Sequence, residues 1–165
     1  MAGCPHFLIL KLDGATREAV DRLDAVYASA RKAAHAAGTA FVPAVSPGYN
    51  DRAVREGHPG RPRYFTDDPD SQEGDVFRMA IRQSGWNHRD PAAANMMMVT
   101  SFNEWYEDTQ IEPTAGEGPT TREDDSPSAD FYTHGDAYPD YGTLYLEILR
   151  EETTRPGPAD RPGVR

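Results

Sequence analysis

The sequence has few of the residues from which redox and metal sites are usually built. Cys4 is the only cysteine among 165 residues, which excludes an internal disulfide and a cluster of thiolate metal ligands. The five histidines are scattered and form neither H-x-x-x-H nor H-E-x-x-H, the spacings that place two imidazoles on one helix face. We therefore expect neither a metal ion nor a cofactor.

Lysines and long apolar runs are also scarce. Lys11 and Lys32 are the only lysines and the net charge is −10, so nucleic acid and an anionic membrane surface are not expected partners. The apolar run at residues 7–10 is far too short to span a bilayer. The first residues also lack the basic and long apolar stretches of a signal peptide. The sequence alone assigns no compartment.

The remaining pattern alternates between short strands and helices. Three segments have the composition of strands: residues 7–12, 41–45 and 96–102. Three others repeat apolar residues every three or four positions, as helices do: residues 16–37, 75–84 and 141–152. This order predicts an α/β fold with parallel strands and right-handed crossovers.

Residues 1–152 contain all of these elements and are long enough for one domain with a core. The run Met-Met-Met-Val at 96–99 is short and continuously apolar, which predicts a buried strand. Residues 114–140 form a loop rich in Gly, Pro, Ser and Asp, too long for a simple connection and so either functional or disordered. Residues 153–165 have the composition of a disordered tail.

Polar and aromatic residues concentrate where the third predicted strand ends. Glu104 and Glu107 are three residues apart and become neighbours if the backbone turns helically there. Asn103, Trp105 and Tyr106 lie beside them. Amides hold hydroxyls, aromatic faces stack on sugar rings and paired carboxylates cleave glycosidic bonds. The pattern favours a sugar site, although a solvated helix face or an aromatic core contact would use the same residue types.

The second predicted strand also ends in a polar loop, at Tyr49 and Asp51. Sites in parallel α/β folds gather at the carboxyl ends of the strands. This placement strengthens the case for Glu104 and Glu107, but it does not decide the reaction.

The order of motifs extends this interpretation. Residues 100–105, Thr-Ser-Phe-Asn-Glu-Trp, are followed by Glu107 and by Thr-Gln-Ile-Glu-Pro at 109–113. This block closely resembles the signature of glycoside hydrolase family 99, the endo-α-1,2-mannosidases and mannanases. Residues 42–49 with Asp51 and Arg55 are similar to a motif that the family carries one strand earlier. Residues 140–147 resemble the helix that ends family members.

The resemblance implies a fold larger than this chain. The family fold is a (β/α)8 TIM barrel, which needs on the order of 250 residues. The chain supplies three strand–helix units, and they resemble the last three because the signature follows the final strand. The resemblance therefore implies the C-terminal portion of a barrel, as a fragment of a full enzyme whose relatives are often exported or in the secretory pathway.

The resemblance also implies a reaction on mannose-containing oligosaccharides or polysaccharides, without a metal. Glu104 would act as base toward the 2-hydroxyl of an α-1,2-mannoside, whose O2 attacks C1 to give a 1,2-anhydro intermediate. Glu107 would protonate the leaving oxygen and then activate water, with retention of configuration. This division of roles requires a raised pKa at Glu107. Asn103, Tyr49, Trp105, Tyr106 and Arg55 would bind the substrate.

The chain departs from the family pattern at three places. Tyr106 stands where the family usually has His, and Asp108 where it usually has Gly. Asp108 would raise the pKa of Glu107 further if both are buried, and Asp tolerates a positive φ better than most residues. The stretch after Arg55 lacks the expected Trp-Asn. These differences concern the range of substrates.

Two other functions remain open. An inactive remnant or a carbohydrate-binding piece could keep the signature without a complete pocket. Some related barrel proteins from polysaccharide clusters, which are sugar-nucleotide glycosyltransferases, share the Asn-Glu-Trp motif. The continuation Thr-Gln-Ile-Glu favours the hydrolase.

Overall fold

The computed structural model describes residues 15–51, 54–55, 57–58, 60–115 and 140–154. The strand predicted at 7–12, most of the loop predicted at 114–140 and nearly all of the predicted tail lie outside these residues.

The first described helix, α1 (Arg17–Ala36), confirms the helix predicted at 16–37. Thr16 caps its N-terminus, where its side chain accepts a hydrogen bond from Ala19 N at 3.1 Å; such a cap contributes about 1 kcal/mol. The helix gives way to Gly38 with φ of +70°, a left-handed conformation that glycine adopts without a steric penalty. One face packs inward through Ala19, Val20, Leu23 and Tyr27.

Two short parallel strands form the sheet, β1 (Ala44–Val45) and β2 (Met98–Val99). Ala44 lies opposite Met98, and Val45 lies opposite Val99. The main chain extends this pairing, since Met98 N donates to Pro43 O and Thr100 N to Val45 O, both at 2.9 Å. Parallel strands joined through helices confirm the α/β class. Both strands are shorter than predicted.

The prediction that the apolar run at 96–99 is a buried strand is wrong. Met98 is 59% exposed and Met96 is also exposed, whereas Met97 and Val99 pack against the core. Side chains alternate between the two faces of a strand, so Met97 and Val99 face the core while Met96 and Met98 share the other face of β2. The apolar run therefore behaves as a half-buried strand.

The helix predicted at 75–84 is irregular. It begins as α2 (Asp75–Met79), continues as a π-helix (Ala80–Gly85) and ends as a 3₁₀ turn (Trp86–His88). A Cβ on Gly85 would lie 2.2 Å from Met97 Sδ and 3.5 Å from Val45 Cγ1, so this segment lies directly against the strand pair. A further 3₁₀ turn (Pro91–Ala93) leads to β2.

The last helix, α3 (Leu144–Thr154), completes the core and continues two residues beyond the predicted end at 152. Tyr145 and Ile148 are fully buried, as the apolar stripe predicts. The buried Glu152 pairs with Arg78 at 2.9 Å and Arg82 at 2.7 Å, which joins α3 to the irregular helix. The main core cluster consists of Val45, Phe77, Ala80, Ile81, Ile111, Tyr141, Tyr145 and Ile148.

Among the described helices, none combines the length and apolar character needed to cross a membrane.

Candidate active site

The segment after β2 is a closed loop that returns on itself. Ser101 N donates to Thr109 O at 2.9 Å, and Thr109 N donates to Glu104 O at 3.2 Å. The Ser101 hydroxyl accepts from Glu104 N at 2.8 Å and bonds the Thr109 hydroxyl at 2.9 Å. The Thr100–Ser101 peptide is cis. The loop is a hydrogen-bonded turn and not the start of a helix.

Both predicted carboxylates lie on this turn. Glu104 is exposed, and its carboxylate accepts a hydrogen bond from Tyr106 N at 3.2 Å. The side chain of Glu107 is 34% exposed and its Oε1 lies 3.8 Å from Arg55 Nη1. The carbonyl of Glu107 accepts from Asn50 N at 2.8 Å. The loops after β1 and β2 are therefore joined at Glu107.

The three neighbours of the carboxylates have different surroundings. Asn103 is exposed. Tyr106 is 52% exposed, so its ring is open to a ligand. Trp105 is partly buried and its Nε1 donates to Glu112 at 3.0 Å, which fixes the indole on its own loop.

A buried carboxylate organises the loop after β1. Asp51 is fully buried. It accepts a short hydrogen bond from Arg55 and lies 2.5 Å from Nδ1 of His58. Burial opposes its ionisation, but hydrogen bonds from Tyr49, Arg55 and His58 outweigh that effect and lower the pKa of Asp51 below its ordinary value. Asp51 is held as an anion between these groups.

Tyr49 lies between this cluster and the second loop. Its ring is buried, and Arg55 Nη1 donates to its hydroxyl at 3.2 Å. Burial and the neighbouring Asp51 raise the pKa of Tyr49 to about 12. The phenol is therefore protonated throughout the neutral range. The structure brings Tyr49, Arg55 and Glu107 together, as the loop positions predict.

Asp108 does not join the acid pair. Its φ is +49°, so the position does require the conformation for which family members have Gly. Its carboxylate Oδ1 accepts from Arg63 and Gln110 at 2.9 and 3.0 Å. Burial raises the pKa of Asp108, while Arg63 and Gln110 oppose that rise. Since Glu107 is one-third exposed, the condition that both carboxylates be buried is not met.

Sequence reasoning missed Arg63. This buried side chain donates to the carbonyls of Gln110 and Asp108 at 3.0 and 2.9 Å. Its guanidinium also lies 5.1 and 4.7 Å from the rings of Tyr141 and Tyr145. Arg63 thus supports the end of the turn that follows β2. No local pattern marks it, because its partners are 45 or more residues away in the chain.

His58 was counted among the scattered histidines. Its ring stands edge-on to Tyr49, with 5.9 Å between the centroids. Only its sequence proximity to Asp51 could have indicated a link.

Within the described ranges, no group of three or more His, Cys, Asp or Glu side chains could hold a metal ion. A separate groove is lined by Arg17, Phe65, Asp75, Arg78, Met79 and Arg82. Its lining residues belong to neither turn at the ends of β1 and β2, so the groove is distinct from the carboxylate pair.

Known proteins resemble this chain over most of its length. Over 112 residues, 67% of the chain, it is 31% identical to a mouse protein described as "Glycoprotein endo-alpha-1,2-mannosidase-like protein". The chain is a relative of the family 99 endo-α-mannosidases. It spans 20% of the length of that mouse protein. No family model matches the chain.

Two solved structures of the family 99 endo-α-mannosidase from Bacteroides thetaiotaomicron also resemble it. The complex with bis-tris propane is 26% identical, with 79% of this chain and 35% of that chain covered and a TM-score of 0.46. The second structure is 24% identical, with 80% and 35% covered and a TM-score of 0.40. Because both scores are below 0.5, the α/β class of this endo-α-mannosidase relative rests on its own parallel strands and helices.

Proposed function

We propose that this chain carries the acid–base pair of an endo-acting α-mannosidase that cleaves α-1,2-mannosides with retention. One observation supports the proposal above all. Glu104 and Glu107 lie on a single accessible turn at the carboxyl end of a parallel strand, and a hydrogen bond of 2.8 Å joins that turn to the Tyr49 loop. Active sites of parallel α/β folds occupy this end of the strands.

The proposed reaction has two steps. Glu104 takes the proton of the 2-hydroxyl while O2 attacks C1, and Glu107 gives its proton to the leaving oxygen. The product of this step is a 1,2-anhydro sugar. Glu107 then takes a proton from water, the water oxygen attacks C1, and Glu104 returns its proton to O2. Two inversions give net retention, as in substrate-assisted glycosidases.

The remaining residues would bind and orient the sugar. Tyr49, protonated because its pKa is about 12, would act as a hydrogen-bond donor. The Arg55 guanidinium would hold Glu107 in place. Asn103, Tyr106 and Trp105 would contact sugar hydroxyls and ring faces, with Trp105 as the least mobile of the three because Glu112 holds its indole.

The parallel pair is consistent with a larger barrel. We assign residues 1–152 to the last three strand–helix units of a (β/α)8 barrel, with 153–165 as a tail. One side of the β1–β2 pair packs against the core, and Met96 and Met98 are exposed on the second side, although Ala44 there is buried. In a barrel, that second side faces the interior and is filled by side chains from the other strands.

The decisive experiment compares Glu104→Gln and Glu107→Gln with the wild type, each in a complete barrel protein that contains this segment, on an α-1,2-linked mannotetraose. Losing either group should lower turnover by about 10²- to 10⁴-fold, the usual contribution of a general acid or base. Glu18→Gln, a change at an exposed position on α1, is the matched control and should keep full activity. Proton NMR of the first product should show the α-anomer.

Near-normal turnover in either variant contradicts the role given to that residue. A wild-type chain that binds the tetraose without cleaving it supports the alternative, a carbohydrate-binding piece without catalysis.

A further inference from the structure

We propose that Asp51 is a positioning residue that holds Arg55 against Glu107, with His58 closing the cluster from the solvent side. This inference rests on the proposed function of Glu107 as acid and base. Asp51 itself touches no part of the reacting turn in the described contacts; it acts through Arg55 and Tyr49.

The burial of Asp51 is the first reason. A fully buried carboxylate is costly unless it is paired and hydrogen-bonded. Three side chains meet that requirement, namely Tyr49, Arg55 and His58. Among the described residues, these are the titratable side chains that hydrogen-bond Asp51. A carboxylate so fully engaged within its own loop is suited to fix other side chains and not to bind a ligand.

The exposure of Arg55 is the second reason. The Arg55 side chain is 58% exposed, and a long exposed side chain adopts many rotamers unless something holds it. Its Nη1 is held by Asp51 and by the hydroxyl of Tyr49, and the same nitrogen lies 3.8 Å from Glu107. The contact with Glu107 is the longest of the three. Its geometry therefore depends on the other two.

His58 adds further contacts to the cluster, with both Asp51 and Tyr49. Nδ1 of His58 lies 2.5 Å from Asp51 and 3.4 Å from the Tyr49 hydroxyl. The ring crosses that of Tyr49 at 88°. His58 thus limits the movement of both side chains that hold Arg55.

The test uses the whole chain and two independent readouts. Asp51→Asn keeps the size of the side chain but removes the charge that holds Arg55. The first readout is ¹⁵N relaxation of the Arg55 Nε–H group in the free chain, which we expect to show increased mobility in Asp51→Asn. Asp70→Asn, the same change at an exposed position, should leave Arg55 unchanged.

The second readout is turnover of the α-1,2-linked mannotetraose. Asp51→Asn should lower kcat by ~10-fold with little change in KM. Arg55→Met should have a similar effect, and the double variant should be no worse than either single one, since coupled residues show non-additive losses. Arg55→Lys, at an exposed position that tolerates change, should recover part of the loss.

Unchanged Arg55 mobility in Asp51→Asn overturns the proposal, and so do additive losses in the double variant. If Asp51→Asn unfolds, the activities of Arg55→Met and Arg55→Lys test the proposal instead. Full and equal activity in both variants shows that Glu107 does not need Arg55 and overturns the proposal. If a complete barrel protein that contains this segment cleaves nothing, the proposed function fails, while the relaxation result still tests whether Asp51 holds Arg55.

Discussion

The two loops that meet at Glu107 carry their acidic residues in opposite environments. In the loop after β1, Asp51 is fully buried and its charge is shared among three side chains. In the loop after β2, Glu104 is exposed and Glu107 is partly so, and their carboxylates make few contacts. The comparison indicates that one loop uses its carboxylate to build structure, while the other keeps its carboxylates available to a substrate.

The largest effect should follow from removing the buried cation beneath the second loop. Arg63→Met leaves Asp108 without its ion-pair partner, and breaking a buried pair costs about 3–5 kcal/mol. Urea unfolding monitored by circular dichroism measures this loss. Arg22→Met, the same change at an arginine that pairs with the exposed Glu18, should cost below about 1 kcal/mol. Equal losses of unfolding free energy in the two variants would show that burial of the arginine does not set the cost of removing it.

Asp51 should give the next largest effect on stability, and the size of this effect depends on pH. Because the folded-state pKa of Asp51 is lowered from 3.8, its contribution to stability is fully present above that value. The contribution disappears as the pH falls through the folded-state pKa. The urea midpoint of the wild type should therefore exceed that of Asp51→Asn at pH 6, and the gap should narrow below pH 3.8. A gap that is constant with pH would contradict this assignment.

A smaller effect is expected where the first loop approaches Arg63. A Cβ on Gly48 would lie 2.5 Å from Arg63 Cγ and 3.0 Å from Arg61 O, so Gly48→Ala forces the loop to move. Overpacking of this kind costs about 1–3 kcal/mol. Gly60→Ala is the control, since its nearest neighbours are Asn50 side-chain atoms at 3.2 Å or more. Thermal unfolding of both variants should show the larger decrease in Tm for Gly48→Ala.

The smallest effect on stability should occur on the exposed turn. Tyr106→His introduces the residue usual in the family at a position that is half exposed, so the free energy of unfolding should change by about 0.5 kcal/mol or less. Chemical denaturation checks this directly. A loss comparable with that of Gly48→Ala would show that Tyr106 supports the turn and is not an open ring.

Much of the fold could be predicted because its signals are local. The period of apolar residues that predicts α1 lies entirely within that one helix. The exposure of Met98 could not be predicted in this way, since four successive apolar residues fit a buried or a half-buried strand equally well. The irregularity of the second helix could not be predicted either. It accompanies the close approach of Gly85 to Met97, and these two residues lie in different elements.

The candidate site shows the same division. The meeting of Tyr49, Arg55 and Glu107 follows from two parallel strands ending at one edge, which the sequence pattern indicates. The burial of Asp51 and the support from Arg63 depend on packing between distant segments, and no spacing rule reports them. Asp108 lies between these cases. The sequence indicates that Asp108 can accept a positive φ, but it does not indicate that Arg63 pairs with the carboxylate.

The hydrogen bond between Asn50 N and Glu107 O uses main-chain atoms alone. Exchanging the side chain at position 50 or 107 therefore leaves both the donor and the acceptor in place, with proline at position 50 as the exception because it has no N–H. The distance between the two loops therefore does not depend on which side chains stand at these two positions. A library that varies residues 103 and 106 would change the side chains offered to a ligand while the spacing of the loops is inherited unchanged.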